Sequence, residues 1–335
     1  MKRISAIIFS ALIALSFAGC QNGGSDNKAD SEGSVSASSP ESSAQSAGDN
    51  SASETQFDLT EFKSDEITDI EKVDIFYTDS ATTEGINNAC ATYEFYFTCD
   101  DYQIKAFVCI PAEVSPENPG KCLMYNRGGH WNYGSVVPEN LAYMCYKTGR
   151  VVVSCEIRGG NGSEGFDGFG GDEMHDVFKL IDLCDKEFSF VNMDDFSVVG
   201  VSRGGMTTYM AAKEDMRVKK IVVAGGISDL AACYNDRDDL KEMIGSCIGA
   251  APDEKPEEYQ KRSAVCWPEK LTVPVLIIHS KGDKMVNYEH NAVALYEKIK
   301  DTTDCTLITN EGDYHGINPA ADSQDIPEII KFLNK

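Results

Sequence analysis

The chain of 335 residues is long enough for one large domain with a tail, or for two small domains. It carries 54 acidic and 30 basic residues, so its formal net charge at pH 7 is −24. Because this charge repels phosphates, it argues against a protein that binds nucleic acid.

The first twenty residues predict the compartment. Lys2 and Arg3 form a basic start, residues 7–17 form an apolar core, and small residues precede Cys20. The arrangement resembles a bacterial lipoprotein signal, in which the chain is cut before the cysteine and the cysteine carries lipid. An ordinary secretory signal or a membrane anchor is the alternative, although the run is shorter than the ~20 residues of a span. We predict a signal peptide at 1–19 and a lipoprotein held on the outer side of a membrane, at the cell surface or in the periplasm.

Residues 21–56 have low sequence complexity. Eleven of the 36 residues are serine, none is aromatic, and six are acidic. Such a segment cannot bury enough apolar surface to order itself. We therefore predict that 20–56 is the lipid anchor followed by a disordered tether, and that a single catalytic domain occupies 57–335.

From residue 57 the sequence predicts antiparallel strands followed by alternating strands and helices. The early strands are expected at 73–77, 91–99 and 103–110. Later strands are expected at 122–126, 151–157, 198–201, 220–224, 273–279 and 305–309, and helices at 139–147, 172–188, 203–212, 290–299 and 326–333. Alternation of this kind implies a mostly parallel sheet with helices on both faces, so we predict an α/β-hydrolase fold.

Residues 196–212 contain the turn on which the predicted active site is built. An apolar run leads into the pentapeptide GVSRG at 200–204, and a helix-compatible segment follows directly. This is the strand, sharp turn and helix of a nucleophile elbow. Side chains at Gly200 or Gly204 would collide across so tight a turn. The hydroxyl of Ser202 is expected at the carboxyl end of the sheet, with the N–H of Arg203 directed at a developing oxyanion.

Two later loops supply an acid and a base in the chain order of α/β-hydrolases. Asp283 follows the strand at 273–279, and His315 follows the strand at 305–309. A serine hydroxyl needs a base to take its proton and an acid to orient that base. We predict Ser202 as nucleophile, His315 as base and Asp283 as the orienting acid. An ordinary turn residue is the alternative for Asp283.

The loop after the strand at 122–126 is the predicted source of the second oxyanion donor. Glycine there lets the backbone approach a ligand closely, so Arg127 and Gly128 are the candidates, with a simple tight turn as the alternative. His130 and Trp131 follow directly and are predicted to contact substrate.

The charged, helix-prone segment 229–270 interrupts the alternation of strands and helices. Tyr234, Tyr259 and Trp267 are spread through it. Because it lies between two strands near the elbow, we expect a helical cap over the site, with a plain surface excursion as the alternative.

The twelve cysteines include no C-x-x-C pair and no Cys/His cluster with zinc spacing, so we predict no metal site. Once Cys20 carries lipid, eleven remain, and at least one cannot pair within the chain. Cys109 lies inside an apolar run and Cys155 follows another, which favours buried free thiols packed as small hydrophobes.

Taken together, the motifs over residues 115–335 resemble the catalytic domain of the prolyl oligopeptidase family. The resemblance rests on Arg158-Gly159-Gly160, the glycine-rich stretch 162–171, GVSRGG at 200–205, Arg262-Ser263, and the loops of Asp283 and His315. It implies a serine hydrolase that uses Ser202, Asp283 and His315 in the roles given above, and it implies no cofactor.

Two departures from the family pattern bear on the substrate. Full members carry an amino-terminal β-propeller that gates access, and residues 57–110 are too few for one. The family also commonly has a tyrosine before the two glycines of the oxyanion loop, where this chain has Arg127. Both departures leave room for ester substrates, including acylated sugars and small acyl esters.

Three hypotheses about function follow. The first is a lipid-anchored serine peptidase of the prolyl oligopeptidase type, and the second is a carboxylesterase that uses the same residues. The third is a tethered binding module without chemistry, which a complete triad disfavours.

Overall fold

A computed structural model describes residues 57–318 and 323–335. The predicted signal peptide, Cys20 and the linker to residue 56 lie outside the described residues. The described strands form one sheet in the order β1-β2-β3-β5-β4-β6-β7-β8-β9. They are β1 (Ile67–Val73), β2 (Cys90–Cys99), β3 (Tyr102–Pro111), β4 (Gly120–Asn126), β5 (Val151–Cys155), β6 (Val191–Val201), β7 (Lys220–Ala224), β8 (Val275–Ser280) and β9 (Cys305–Asn310).

The strand directions match the predicted fold class. Strands β1 to β3 pair antiparallel, and β3 also lies antiparallel to β5. All pairs from β5 across to β9 are parallel. The mostly parallel sheet with antiparallel amino-terminal strands is therefore confirmed.

Helices cover both faces of the sheet. The helices are α1 (Ser80–Ala89), α2 (Pro138–Thr148), α3 (Met174–Lys186), α4 (Arg203–Glu214), α5 (Leu230–Asp236), α6 (Asp238–Ile248), α7 (Pro256–Arg262), α8 (Ala294–Ile299) and α9 (Asp325–Leu333). One apolar core joins α3, α4 and α8 to the sheet, and the other joins α1, α2 and α9 to its opposite face. Within β4, Cys122 and Met124 enter the first core and Leu123 enters the second, because successive side chains of a strand point to opposite faces.

The amino-terminal part differs from the sequence prediction. The first strand is Ile67–Val73, and residues 74–77 lie outside it. Helix α1 was not predicted, because Ile86 is its one buried residue and no apolar periodicity marks it. It begins instead with a local cap, in which Asp79 accepts a hydrogen bond of 2.9 Å from the N–H of Thr82.

The segment 229–270 folds as α5, α6, α7 and two short 3₁₀ turns between β7 and β8. Leu230, Ile244 and Tyr259 from this segment pack in a third apolar cluster with Phe169 and Met206. The segment therefore lies against the loop before α3 and the first turn of α4. Within residues 57–318 and 323–335, no helix is both long and apolar enough to cross a bilayer.

Candidate active site

Ser202 occupies a strained turn between β6 and α4. Its backbone has φ 59° and ψ −126°, a region that non-glycine residues rarely adopt. A Cβ atom at Gly200 would lie 2.1 Å from the carbonyl oxygen of Gly204, and one at Gly204 would lie 2.0 Å from that of Asn126. The two glycines of the pentapeptide are therefore required sterically, as the sequence indicated.

Asp283 and His315 meet at the carboxyl edge of the sheet. Nδ1 of His315 lies 2.7 Å from Oδ2 of Asp283, and Ser202 and His315 line the same pocket. The left-handed Gly225, at the end of β7, packs against the pair, because a Cβ atom there would lie 3.1 Å from Nδ1 of His315 and 3.2 Å from Oδ2 of Asp283. The structure thus brings the three predicted triad residues to one edge of the sheet.

Asp283 is held by several hydrogen bonds. Its Oδ1 accepts hydrogen bonds from the N–H groups of Met285, at 2.8 Å, and Val286, at 3.1 Å. Burial alone would raise the pKa of Asp283, but hydrogen bonds from His279 and His315 hold that pKa well below its ordinary value. The carboxylate therefore stays ionised at neutral pH and is fixed in orientation.

His279 is a contributor that sequence reasoning missed. His279 lies near the end of β8 and is completely buried. Its Nε2 lies 3.2 Å from Oδ2 of Asp283 and 2.9 Å from the carbonyl oxygen of Val286. Since both neighbours are acceptors, Nε2 carries the proton and donates to them. The four-residue spacing between His279 and Asp283 is the one signal that the sequence contained.

The backbone at Arg203 and at Gly128 lies beside Ser202. The N–H of Arg203 is the first of α4 and has no intrahelical acceptor. Gly128 passes beside the serine, since a Cβ atom there would lie 3.0 Å from Cβ of Ser202 and 3.7 Å from its Oγ. Both Gly128 and Arg203 line the pocket, whereas Arg127 does not.

The comparisons with known proteins agree with this fold. The model of the prolyl oligopeptidase family matches residues 137–335. This chain belongs to that family. Membership confirms the predicted class, a serine hydrolase with an α/β-hydrolase fold.

Relatives with this fold include peptidases and an esterase. The uncharacterized peptidase YtmA of Bacillus subtilis (strain 168) is 32% identical over 211 residues, which cover 62% of this chain and 79% of that protein. Pyrococcus horikoshii acylaminoacyl peptidase superposes with a TM-score of 0.63 at 20% identity, over 73% of this chain and 42% of that one. Acetyl xylan esterase 1 from Thermoanaerobacterium sp. JW/SL YS485 superposes with a TM-score of 0.57 at 18% identity, over 80% and 88%. This chain therefore spans less than half of the acylaminoacyl peptidase and most of the esterase.

Arg127 stands where the family commonly has a tyrosine. Its side chain holds the oxyanion loop in place and does not face the pocket. Its guanidinium donates to the carbonyl oxygens of Gly128 and Tyr133, both at 3.0 Å, and to that of Trp131. Its Nε lies 2.7 Å from Oε2 of Glu156, as an ion pair without the alignment of a hydrogen bond. Both side chains of this pair are at most 1% exposed. The side chain of Arg127 thus holds the loop in place. The oxyanion role that was predicted for Arg127 can involve only backbone N–H groups of this loop.

Arg203 and Arg262, from two of the family motifs, bind the glycine-rich loop and its flank. The side chain of Arg203 lies 2.6 Å from Asp167 and 2.6 Å from Glu173, and its guanidinium stacks on Phe169 with 4.4 Å to the ring centroid. From α7, Arg262 donates to the carbonyl oxygen of Phe169 at 3.0 Å. Buried ion pairs and hydrogen bonds of this kind fix the loop between the elbow and the segment 229–270.

The two predicted substrate residues occupy different environments. His130 lines the pocket, and burial lowers the pKa of its imidazole. Trp131 does not line the pocket and is 43% exposed. Its N–H donates to Asp167 at 3.1 Å, so its backbone ties the oxyanion loop to the glycine-rich loop. Substrate contact by either residue stays a prediction.

All eleven cysteines of the described residues are free thiols. The buried Cys90, Cys109 and Cys145 come from three elements, and their sulfur atoms lie within 4.8 Å of one another. No sequence motif predicts this cluster, because the three positions are far apart in the sequence.

Proposed function

We propose that this chain hydrolyses an acyl bond, either ester or peptide, through an acyl-enzyme on Ser202. Oγ of Ser202 attacks the carbonyl carbon while Nε2 of His315 takes its proton. His315 then gives that proton to the leaving group as the bond to it breaks. A water molecule, deprotonated by the same imidazole, releases the acid and restores the serine. The supporting observation is the buried His315–Asp283 pair at 2.7 Å, which shares a pocket with the strained Ser202.

In this proposal the surrounding groups keep the imidazole oriented and receive the charge of the tetrahedral intermediate. Asp283 accepts a hydrogen bond from the Nδ1–H of His315 and stabilises the imidazolium. The N–H groups of Arg203 and Gly128 donate to the oxyanion. Both come from rigid backbone beside Ser202, so little reorganisation is needed during the reaction.

Covalent labelling tests the nucleophile directly. We expect a fluorophosphonate probe to label the protein, and we expect Ser202→Ala to abolish that labelling. Ser189→Ala, at an exposed serine away from the pocket, serves as the matched control. Labelling that survives in Ser202→Ala would contradict the assignment, and a protein that takes up no probe would favour the binding module.

An esterase activity is the second candidate, and the amino-terminal residues favour it. Residues 67–111 form α1 and the first three strands of the same sheet, so the described part of the chain contains no propeller over the pocket. Turnover of p-nitrophenyl acetate but not of an X-Pro-p-nitroanilide would establish the esterase. Turnover of the anilide would establish peptidase action.

We also propose that the enzyme is a lipoprotein tethered outside a membrane by residues 20–56. The support is the amino-terminal sequence, with its basic start, apolar core and Cys20. Detergent phase separation of the expressed full chain tests it. The native protein should enter the detergent phase, and Cys20→Ser should stay in the aqueous phase.

A further inference from the structure

The residues that line the pocket at Ser202 and His315 fall into two groups, and the part of the pocket beside each group is called an arm. The first arm is lined mainly by residues of the segment 229–270 and its neighbours, namely Ile227, Cys233, Leu240, Met243, Met285 and Val286. The second arm lies on the sheet face that α2 and α9 cover, and the proposed reaction does not use its walls.

The second arm runs along helix α2, between that helix and α9. On α2 the lining residues Val137, Asn140, Met144 and Thr148 recur every three or four positions, so they mark one helical face. The opposite wall is Ile326, Ile329 and Ile330 of α9, and the floor is Tyr125, Val199 and Val201 of β4 and β6. Because α2 has 11 residues, the arm is roughly 16 Å long at 1.5 Å per residue.

The walls of this arm suit an alkyl chain better than a peptide. An extended peptide needs partners for its N–H and C=O groups, which a free strand edge would normally supply. Strand β4 is paired on both sides, to β5 and β6, and β6 is paired to β4 and β7. The backbones of α2 and α9 bond within their own helices. A peptide in the arm would therefore leave polar groups unpaired, whereas an alkyl chain has none.

The far end of the arm is polar. Lys147 and Thr148 line it at the last turn of α2, and the ammonium of Lys147 lies 5.3 Å from the ring of Tyr143. An alkyl chain that passed this point would meet a cation and solvent. The apolar length is therefore finite, and a chain that fills it should bind better than a shorter or a longer one.

We infer that this arm binds the linear aliphatic chain of an ester whose carbonyl lies at Ser202, so that the enzyme prefers medium-chain esters to acetate. The inference rests on the proposed function of Ser202. The chain belongs either to the acyl group or to the alcohol, and both arrangements place an alkyl arm between α2 and α9.

The expected effect is large enough to measure. Burial of one methylene is worth about 0.8 kcal/mol, so kcat/KM should rise roughly fourfold for each added methylene until the arm is full. We would measure kcat/KM for p-nitrophenyl acetate, butyrate, hexanoate, octanoate, dodecanoate and palmitate. A second series of acetate esters of linear alcohols would test the alcohol side. A rise followed by a fall in either series is expected.

A pair of matched variants locates the effect. Met144→Trp places a large ring in the arm, and we expect it to lower the octanoate-to-acetate ratio of kcat/KM by roughly fourfold for each methylene it excludes. Met216→Trp is the control, because Met216 is 89% exposed and lies outside the pocket. Near-ultraviolet circular dichroism and the rate of fluorophosphonate labelling report whether Met144→Trp folds. Ile330→Trp blocks the opposite wall if it does not.

The outcomes separate this inference from the proposed function. A protein that fluorophosphonate does not label refutes the nucleophile. A protein that is labelled and hydrolyses acetate, but shows flat profiles in both series, overturns the aliphatic arm alone. Equal profiles for Met144→Trp and Met216→Trp also overturn it, as does a preference for apolar peptide anilides over all esters.

Discussion

Replacing Arg127 by methionine should destabilise the protein and slow the reaction. The substitution leaves the carboxylate of Glu156 buried without its cation, and it removes the donors to three carbonyl oxygens of the oxyanion loop. Removal of one partner of a buried ion pair typically costs about 3–5 kcal/mol. Burial already raises the pKa of Glu156, so protonation of the orphaned carboxylate will limit the loss. We expect a decrease of about 3 kcal/mol in the free energy of unfolding at pH 8.

The double variant Arg127→Met/Glu156→Gln is the matched control. Its neutral amide can still accept from the N–H of Val136 and the side chain of Asn161, which bind Oε1 of Glu156 at 2.9 Å each. The double variant should therefore recover about 1–2 kcal/mol relative to the single one, since only hydrogen bonds remain lost. The shift of the urea midpoint at an unchanged slope measures both values.

The losses of stability in the two variants should depend differently on pH. A carboxyl whose pKa is raised in the folded state binds protons more readily there than in the unfolded chain, so stability falls as pH rises through the folded pKa. The deficit of Arg127→Met should therefore shrink from pH 8 to pH 5.5, and it should change more over this range than that of the double variant, which has no carboxyl at position 156. A pH-independent deficit, or a double variant no more stable than the single one, would refute the argument.

The same substitution should lower activity through Gly128. Loss of one oxyanion donor costs about 100-fold to 1,000-fold in kcat, and a displaced loop should cost up to the lower of these values. We expect kcat to fall while KM changes little, because the donor acts in the transition state. A rise in KM at constant kcat would place Arg127 in substrate binding instead.

Four further predictions concern Asp283, His279 and the cysteines. Asp283→Asn should lower kcat by about 10⁴-fold with little change in KM, measured on any ester that is turned over. The pKa of Asp283 is depressed in the folded protein, so its ionised carboxylate stabilises the fold above the unfolded pKa of about 3.9. This stabilisation is lost only as the pH falls through the lower pKa of the folded state. The urea midpoints of wild type and Asp283→Asn should therefore converge only in strong acid. His279→Phe should lower kcat by less than Asp283→Asn and shift the acid limb of its pH profile, whereas a merely structural role would move the urea midpoint alone. Cys266, the exposed thiol among the described cysteines, should react with Ellman's reagent in the native protein, and the eight buried thiols only after unfolding.

The elements predicted well from the sequence are those with local signals. Ser202 was found from the glycines that its turn requires, and Asp283 and His315 from their places after apolar strands. Central strands were predicted because both faces of each are buried, which gives continuous runs such as that of β8. Helix α1 was missed because it buries little and so shows no periodicity.

The features that sequence reasoning missed depend on contacts that form only in the folded chain. Nothing local shows that Arg127 turns away from the pocket to meet Glu156, 29 positions later in the sequence. The contact of His279 with Asp283 likewise depends on how the loop after β8 folds back onto its strand. The arm between α2 and α9 is lined by residues that lie far apart in the sequence. Only the folded protein brings them together.

Gly225 lies directly beside Asp283 and His315 and leaves room for both side chains. It has no side chain to contribute, yet a Cβ atom there would lie 2.7 Å from the backbone nitrogen of Gly316 and would press against Asp283 and His315. A saturation screen for hydrolysis should therefore find position 225 as intolerant as the three reacting residues, although alanine there differs by one methyl group. In this enzyme the absence of a side chain at position 225 is therefore as necessary as the presence of a functional group elsewhere in the site.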